Sequence, residues 1–122
     1  MKLIIAGSRG LTVFSDFIEA TADFHQLEIT EVVSGTAAGI DLSGEYFAKK
    51  FNITLKRFPA DWNKYGKAAG PKRNQEMAKY ADALLLIWTG CEKTSRGSKN
   101  MRDEMLKLVK PVYEVILRKH NT

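Results

Sequence analysis

The sequence predicts an α/β domain built on a five-stranded parallel sheet with helices on both faces. Three observations predict it. Apolar segments rich in branched residues recur five times, and each of the first four leads through a small-residue turn into a helical pattern. The strand-to-helix connections are rich in glycine, serine and charge, whereas the helix-to-strand connections are short and plain. The 122 residues leave room for one sizeable hydrophobic core and no second. Right-handed crossovers allow such an alternation few topologies, and the expected strand order is 3-2-1-4-5. That is a Rossmann-like, three-layer domain with its switch point between strands one and four. It is expected over residues 1–117, with 118–122 a polar C-terminal tail.

Residues 2–6 read as the first strand and end at Gly7-Ser8-Arg9-Gly10. Phe14, Phe17, Ile18 and Phe24 repeat with helical spacing, and Ser15 or Thr12 is the expected cap. Residues 29–33 form the second strand, ending at Ser34-Gly35. A helix over 39–50 places Ile40, Phe47, Ala48 and Phe51 on one face. Residues 53–58 alternate, as an edge strand does. The stretch 59–70 has no clear period and is expected to be irregular. Pro71 suits the first turn of a helix reaching Tyr80. Residues 83–88 are the most continuous apolar run and belong mid-sheet with both faces covered. After a loop over 89–97, a helix over 98–110 and a last strand over 112–117 complete the alternation.

Composition narrows the function. Apolar residues make up 44% and charged residues 27%, the balance of a soluble globular chain, and no segment approaches the roughly 20 apolar residues of a membrane span. The apolar start is too short for a signal peptide, so a cytoplasmic protein without membrane contact is expected. A single cysteine, Cys91, leaves neither a disulfide framework nor a cysteine-based metal cluster. His25 and His120 lie far apart with no third ligand in view; no metal site and no cofactor are expected. Cys91 has no histidine at hand for nucleophilic work, although Lys93 and Arg96 are near enough in sequence to lower its pKa. The formal charge of +5 suits an anionic partner, but the basic residues are scattered rather than gathered in an arm or helix.

Strand-to-helix loops lie at the carboxyl edge of a parallel sheet, where such sheets bind ligands. Glycine admits close approach of a ligand to the backbone, and the free amides of a helix start favour an anion. Gly7 and Gly10 after strand one, Gly35 and Gly39 after strand two, and Gly97 with Ser98 and Lys99 at the last helix all offer this. Each glycine read alone is equally well a turn that needs positive φ. Ser8 adds a hydroxyl and Arg9 a charge. Arg73 is expected in a first helical turn, where a cation opposes the macrodipole unless an anion is nearby, or it pairs on the surface with Glu76 or Asp61. Arg96 has a similar claim. Asp41 and Asp61 can cap or turn the chain, or meet a ribose; Glu104 is an acid/base candidate or an ordinary surface group. Trp62 and Tyr65 can stack on a base or lie as a lid over Trp88. There is neither a Gly-x-Gly-x-x-Gly fingerprint nor a Walker lysine, so dehydrogenase and P-loop ATPase are poor readings.

Taken together, Gly7-Ser8-Arg9, Ser34-Gly35 through Gly39-Ile40-Asp41, Ala60-Asp61-Trp62 with Gly66, Gly70-Pro71-Lys72-Arg73-Asn74-Gln75-Glu76-Met77, Ala81-Asp82-Ala83, and Ser95-Arg96-Gly97-Ser98-Lys99-Asn100-Met101 resemble the YspA/YpsA-related branch of the SLOG superfamily. The resemblance covers nearly the whole chain and is similar to that of small versions carried by bacteria and phages. It implies a Rossmann-like fold and a nucleotide or nucleotide-derived ligand, held by Gly7, Ser8, Arg9, Gly35, Gly39, Trp62, Arg73, Asn74, Arg96, Gly97 and Ser98. The superfamily includes the LOG-type phosphoribohydrolases and the single-stranded-DNA-binding protein DprA. Arg73 with Met77 resembles the LOG Arg-Lys segment, and Gly97-Ser98 the LOG Gly-Thr pair. Met101 stands where the LOG pattern carries a glutamate, and Thr89-Gly90 replaces its double glycine, so ligand binding survives the departure better than base hydrolysis. A hydrolase would have to draw its carboxylate from Asp41, Asp61 or Glu104.

Three classes of function stand open at this point. The first is a module that senses, sequesters or cleaves a nucleotide-derived ligand. The second is a single-stranded nucleic-acid binder, and the third a non-catalytic interaction protein. Phe14, Phe17, Phe24 and Met105 suggest surplus apolar surface and hence a homodimer.

Overall fold

The structure, a computed structural model, describes residues 1–118. The expected tail from 119 onward, with His120, lies outside the described residues. Five parallel strands, β1 (Lys2–Gly7), β2 (Glu31–Ser34), β3 (Thr54–Arg57), β4 (Ala83–Trp88) and β5 (Val112–Ile116), form one sheet in the order β3-β2-β1-β4-β5. This is the order that alternation and right-handed crossovers predict.

The period of two along the central strands builds two cores. Ile4, Ala6, Leu84, Leu86 and Trp88 face one side, where Met77 and Ala78 of α4 (Ala69–Tyr80) and Met101 and Met105 of α5 (Arg96–Lys107) cover them. Leu3, Ile5, Ala83, Leu85 and Ile87 face the other, under Ile18 of α1 (Ser15–Phe24) and Ile40, Phe47 and Ala48 of α2 (Ile40–Lys50). Every residue of β4 is buried, because this strand has a neighbour on each edge and a helix layer on each face. Met105 therefore belongs to the core rather than to a surplus apolar surface, and Phe17 packs against the second core. Of the residues behind the homodimer expectation, Phe14 and Phe24 stand exposed.

Local differences from the sequence reading have identifiable causes. β2 starts at Glu31, opposite Lys2, because Thr30 still turns to donate its amide to the Met1 carbonyl. The cap position of α1 is Phe14, and neither Ser15 nor Thr12 caps the helix. The stretch expected to be irregular contains a short helix, α3 (Trp62–Tyr65), and a 3-10 turn (Gly66–Ala68) leading into α4. Pro71 is compatible with this early start, since its missing N–H is among those a first turn leaves unpaired. α5 ends at Lys107, where Val109 adopts φ +55. Released from the helix, Lys110 donates its ammonium to the carbonyls of Ala78, Lys79 and Ala81 and so closes the carboxyl end of α4. Among the described residues no helix is long and apolar enough to cross a membrane.

Candidate functional site

At the carboxyl edge of the sheet, the chain leaves β1 toward α1 on one face and β4 toward α5 on the other. A cleft of about 570 Å³ opens there, lined by the loops after β1, β2 and β4, by the middle of α4 and by the start of α5.

Ser8 ties the walls together. Its amide donates to Ile87 O at 3.2 Å, its Oγ accepts from the Thr89 amide at 3.2 Å, and the same Oγ meets Ser95 Oγ at 3.1 Å. The side chain is buried, so its first task is to fasten the β1 loop to the β4 loop. Gly39 has a comparable task from the other side. With φ +78, its absent Cβ would stand within about 2.5 Å of the Ser8 and Arg9 carbonyl oxygens. The sequence reading gave Gly39 an anion-binding amide. The structure instead buries it beneath the β1 loop, outside the cleft lining, where it lets the start of α2 close against that loop.

Arg9, Arg73, Lys93 and Arg96 line the cleft, and none has a carboxylate at ion-pairing distance among the described residues. The amides of Arg96, Gly97 and Ser98, the first three of α5, find no acceptor there either. Positive charge and open helix amides thus converge on one space. Gly7 and Gly35 also line it; a Cβ on Gly35 would press to 3.0 Å from Arg73 Nη1. Arg73 is half-buried and bound on two sides. Its Nε donates to Asn74 Oδ1 at 2.9 Å and its Nη1 to the Gly35 carbonyl, leaving three guanidinium N–H groups without a protein acceptor. Burial pushes its pKa down, against the pull of Asp41, yet a guanidinium keeps its charge at neutral pH.

Arg73 is the fifth residue of α4, not part of its first turn, because α4 begins at Ala69. The macrodipole argument for a nearby anion therefore does not apply, and the alternative of a surface pair with Glu76 or Asp61 does not hold either. The case for an anion rests instead on the unpaired charges.

Asp41 is the one carboxylate among the lining residues. Its Oδ2 accepts the Ala37 amide at 3.1 Å, yet burial outweighs this bond and the facing Arg73 and Arg9, and its pKa is pushed up to about 6. The other two acidic candidates are elsewhere. Asp61 is exposed and caps α3, accepting the Lys64 amide at 3.1 Å. Glu104 is buried in the third turn of α5 and accepts from Lys107 Nζ at 3.1 Å, roughly 10 Å along the axis from Gly97 at 1.5 Å per residue. Neither lines the cleft. Asp61→Ala is accordingly expected to cost about 1 kcal/mol of stability, the worth of an N-cap. Thermal unfolding of the variant measures the loss.

Trp62 is also outside the cleft, 53% exposed and lying along Gly70, and it forms no lid over Trp88. Trp88 is covered by Arg102, and its Nε1 donates to Glu114 Oε2 at 2.6 Å. Asn74, counted among the ligand-binding residues, is buried and turned toward Arg73 and α5. The Cys91 thiol has its pKa lowered by the Thr94 hydroxyl and by the amides of Thr94 and Lys93, not by neighbouring cations. Two contributors had carried no ligand role in the sequence. Lys93 was visible as a cation in a functional loop. Asn100 had no such signal, since its partner lies 26 residues away on another helix. Among the described residues no group of His, Cys, Asp and Glu gathers as a metal site. The chain matches no protein-family model and no curated protein with which it was compared.

Proposed function

We propose that the cleft binds a nucleotide or nucleotide-derived ligand of the ribose phosphate or ADP-ribose type, as in the SLOG superfamily that the motifs resemble. The observation that carries this reading is the convergence of Arg9, Arg73, Lys93 and Arg96, all without carboxylate partners, on the open amides of α5. A phosphate would pair with this charge by charge-assisted hydrogen bonds. Beside it, Asp41 offers an acceptor for a ribose hydroxyl, and the buried Met77 and Met101 give the wall an apolar part. Binding, for sensing or sequestration, is the function supported best. Hydrolysis of an N-glycosidic bond would fall to Asp41, whose pKa near 6 suits proton transfer at neutral pH.

The test is a thermal-shift and mass-spectrometric screen with nucleoside mono- and diphosphates, ADP-ribose and their cyclic derivatives. A stabilising member of this panel is the expected result, and free base accumulating with time would mark an enzyme. A protein indifferent to the whole panel sinks the reading and favours an interaction protein. Single-stranded nucleic acid is a second reading with one observation in its favour. Exposed Trp62 stands in the same segment as Tyr65, whose ring centroid lies 5.1 Å from Lys64 Nζ and 4.4 Å from Lys72 Nζ. Affinity falling steeply with salt, by several phosphates' worth of counterions, would mark that partner; a mononucleotide would show a shallow slope.

A further inference from the structure

Buried Asn74 and half-buried Asn100 form a relay behind Arg73. Asn74 Nδ2 donates to Asn100 Oδ1 at 2.8 Å and, more weakly, toward the Gly97 carbonyl at 3.5 Å. With its nitrogen committed to α5, the amide can turn only its oxygen to Arg73, and Oδ1 accepts the Arg73 Nε–H at 2.9 Å. Asn74 is 6% exposed, so an amide facing the wrong way would leave both its own nitrogen and the guanidinium Nε–H with poor partners. The Gly35 carbonyl takes Nη1 from the opposite side. The guanidinium is gripped from two sides, and its remaining N–H groups are left for the cleft.

We infer that Asn100 is a positioning residue for the anion site: acting through Asn74, it fixes the plane of the Arg73 guanidinium and couples Arg73 on α4 to the amides that open α5. The inference rests on the reading of the cleft as an anion site, and it adds a residue that does not line that cleft. A guanidinium binds two oxygens of a phosphate well only when its plane is set beforehand; a free side chain loses rotamer entropy on binding. The relay takes that loss at folding. It also places Gly97, whose amide lies in the open turn of α5, and Arg73 in one hydrogen-bonded chain, so that the two anion-binding elements hold a constant separation.

The experiment follows the Arg73 Nε–H resonance by ¹H–¹⁵N spectroscopy and AMP binding by calorimetry, in wild type, Asn100→Ala and Asn100→Asp. In wild type the Nε–H should exchange slowly with solvent. Asn100→Ala should abolish that protection and weaken AMP binding about tenfold. Asn100→Asp keeps an oxygen opposite Asn74 Nδ2 and should keep the protected resonance, which also decides the matter if Asn100→Ala does not fold. In an Arg73→Ala background, Asn100→Ala should change AMP affinity less than twofold, because nothing is left to position. A protected Nε–H that persists in Asn100→Ala, or is lost in Asn100→Asp, overturns the inference. So does a full tenfold effect in the absence of Arg73. Wild-type protein that shows the protected resonance but ignores AMP overturns the ligand reading while leaving the relay standing.

Discussion

Arg73→Ala is expected to weaken AMP binding by about 2–3 kcal/mol, roughly 30- to 150-fold, the order of a lost charge-assisted contact. Arg73 is the cation best held for the task. Asn74 and the Gly35 carbonyl fix it from two sides, and three of its N–H groups stay unused. Arg73→Lys should recover only part of the loss. An ammonium is a point charge without a planar fork, and it cannot serve Asn74, Gly35 and two phosphate oxygens together. The fold should feel the change modestly. Because Arg73 lies in the second turn of α4 and makes two hydrogen bonds, its removal should cost about 1 kcal/mol of stability rather than add any. Calorimetry with AMP and thermal unfolding of both variants measure the two halves. A folded Arg73→Ala protein that binds AMP as wild type does would return Arg73 to a structural role.

The strands were legible because their signal is local. Ala83 to Trp88 is a continuous apolar run, and burial of all six residues at mid-sheet follows from that run and from the order of connections. The glycine-rich loops were legible for a related reason: a parallel sheet delivers every strand-to-helix loop to one edge. What lay outside the sequence was register within those loops. In the sequence, Trp62 and Asp61 belong with the ligand residues by side-chain type and by the Ala60-Asp61-Trp62 motif. The chain in fact folds there into a short helix that Asp61 caps, and that helix lies off the cleft. Gly39 looked like another anion amide, yet the backbone of Ser8 and Arg9 occupies the space where its side chain would be. Arg73 was picked out for a helix start that begins four residues earlier, and it stands in the cleft for a different reason, the hold of Asn74 and Gly35. Contacts between distant helices, such as Asn74 with Asn100, leave no periodic trace in one sequence.

Asp41→Asn is expected to raise stability at pH 8 by about 2–3 kcal/mol and to tighten AMP binding there roughly tenfold. The ionised carboxylate is held in a buried place, with its pKa lifted to about 6 from an unfolded value of 3.8. A lift of this size corresponds to about 3 kcal/mol at 1.36 kcal/mol per unit. The sign follows from proton uptake. Between those two values the folded state binds more protons than the unfolded one, so stability falls as pH rises through that window and stays low above it. Asparagine has nothing to ionise and keeps an oxygen for the Ala37 amide. Its advantage should therefore be full at pH 8, shrink as pH falls from 6 toward 4, and vanish below. Arg9 and Arg73 face the carboxylate from the β1 loop and α4, and Glu45 adds negative charge from α2. A neutral residue 41 removes a negative charge that repels a phosphate held by those two arginines, which is the source of the tighter binding. The AMP phosphate itself titrates near pH 6, so the informative quantity is the difference between the two proteins at each pH, where that titration cancels. If Asp41 also moves a proton in hydrolysis, the same variant binds more tightly yet releases no base. Unfolding curves for wild type and Asp41→Asn that run parallel from pH 4 to 8 would rule out a buried, proton-linked Asp41, because only a carboxyl with a shifted pKa makes them converge.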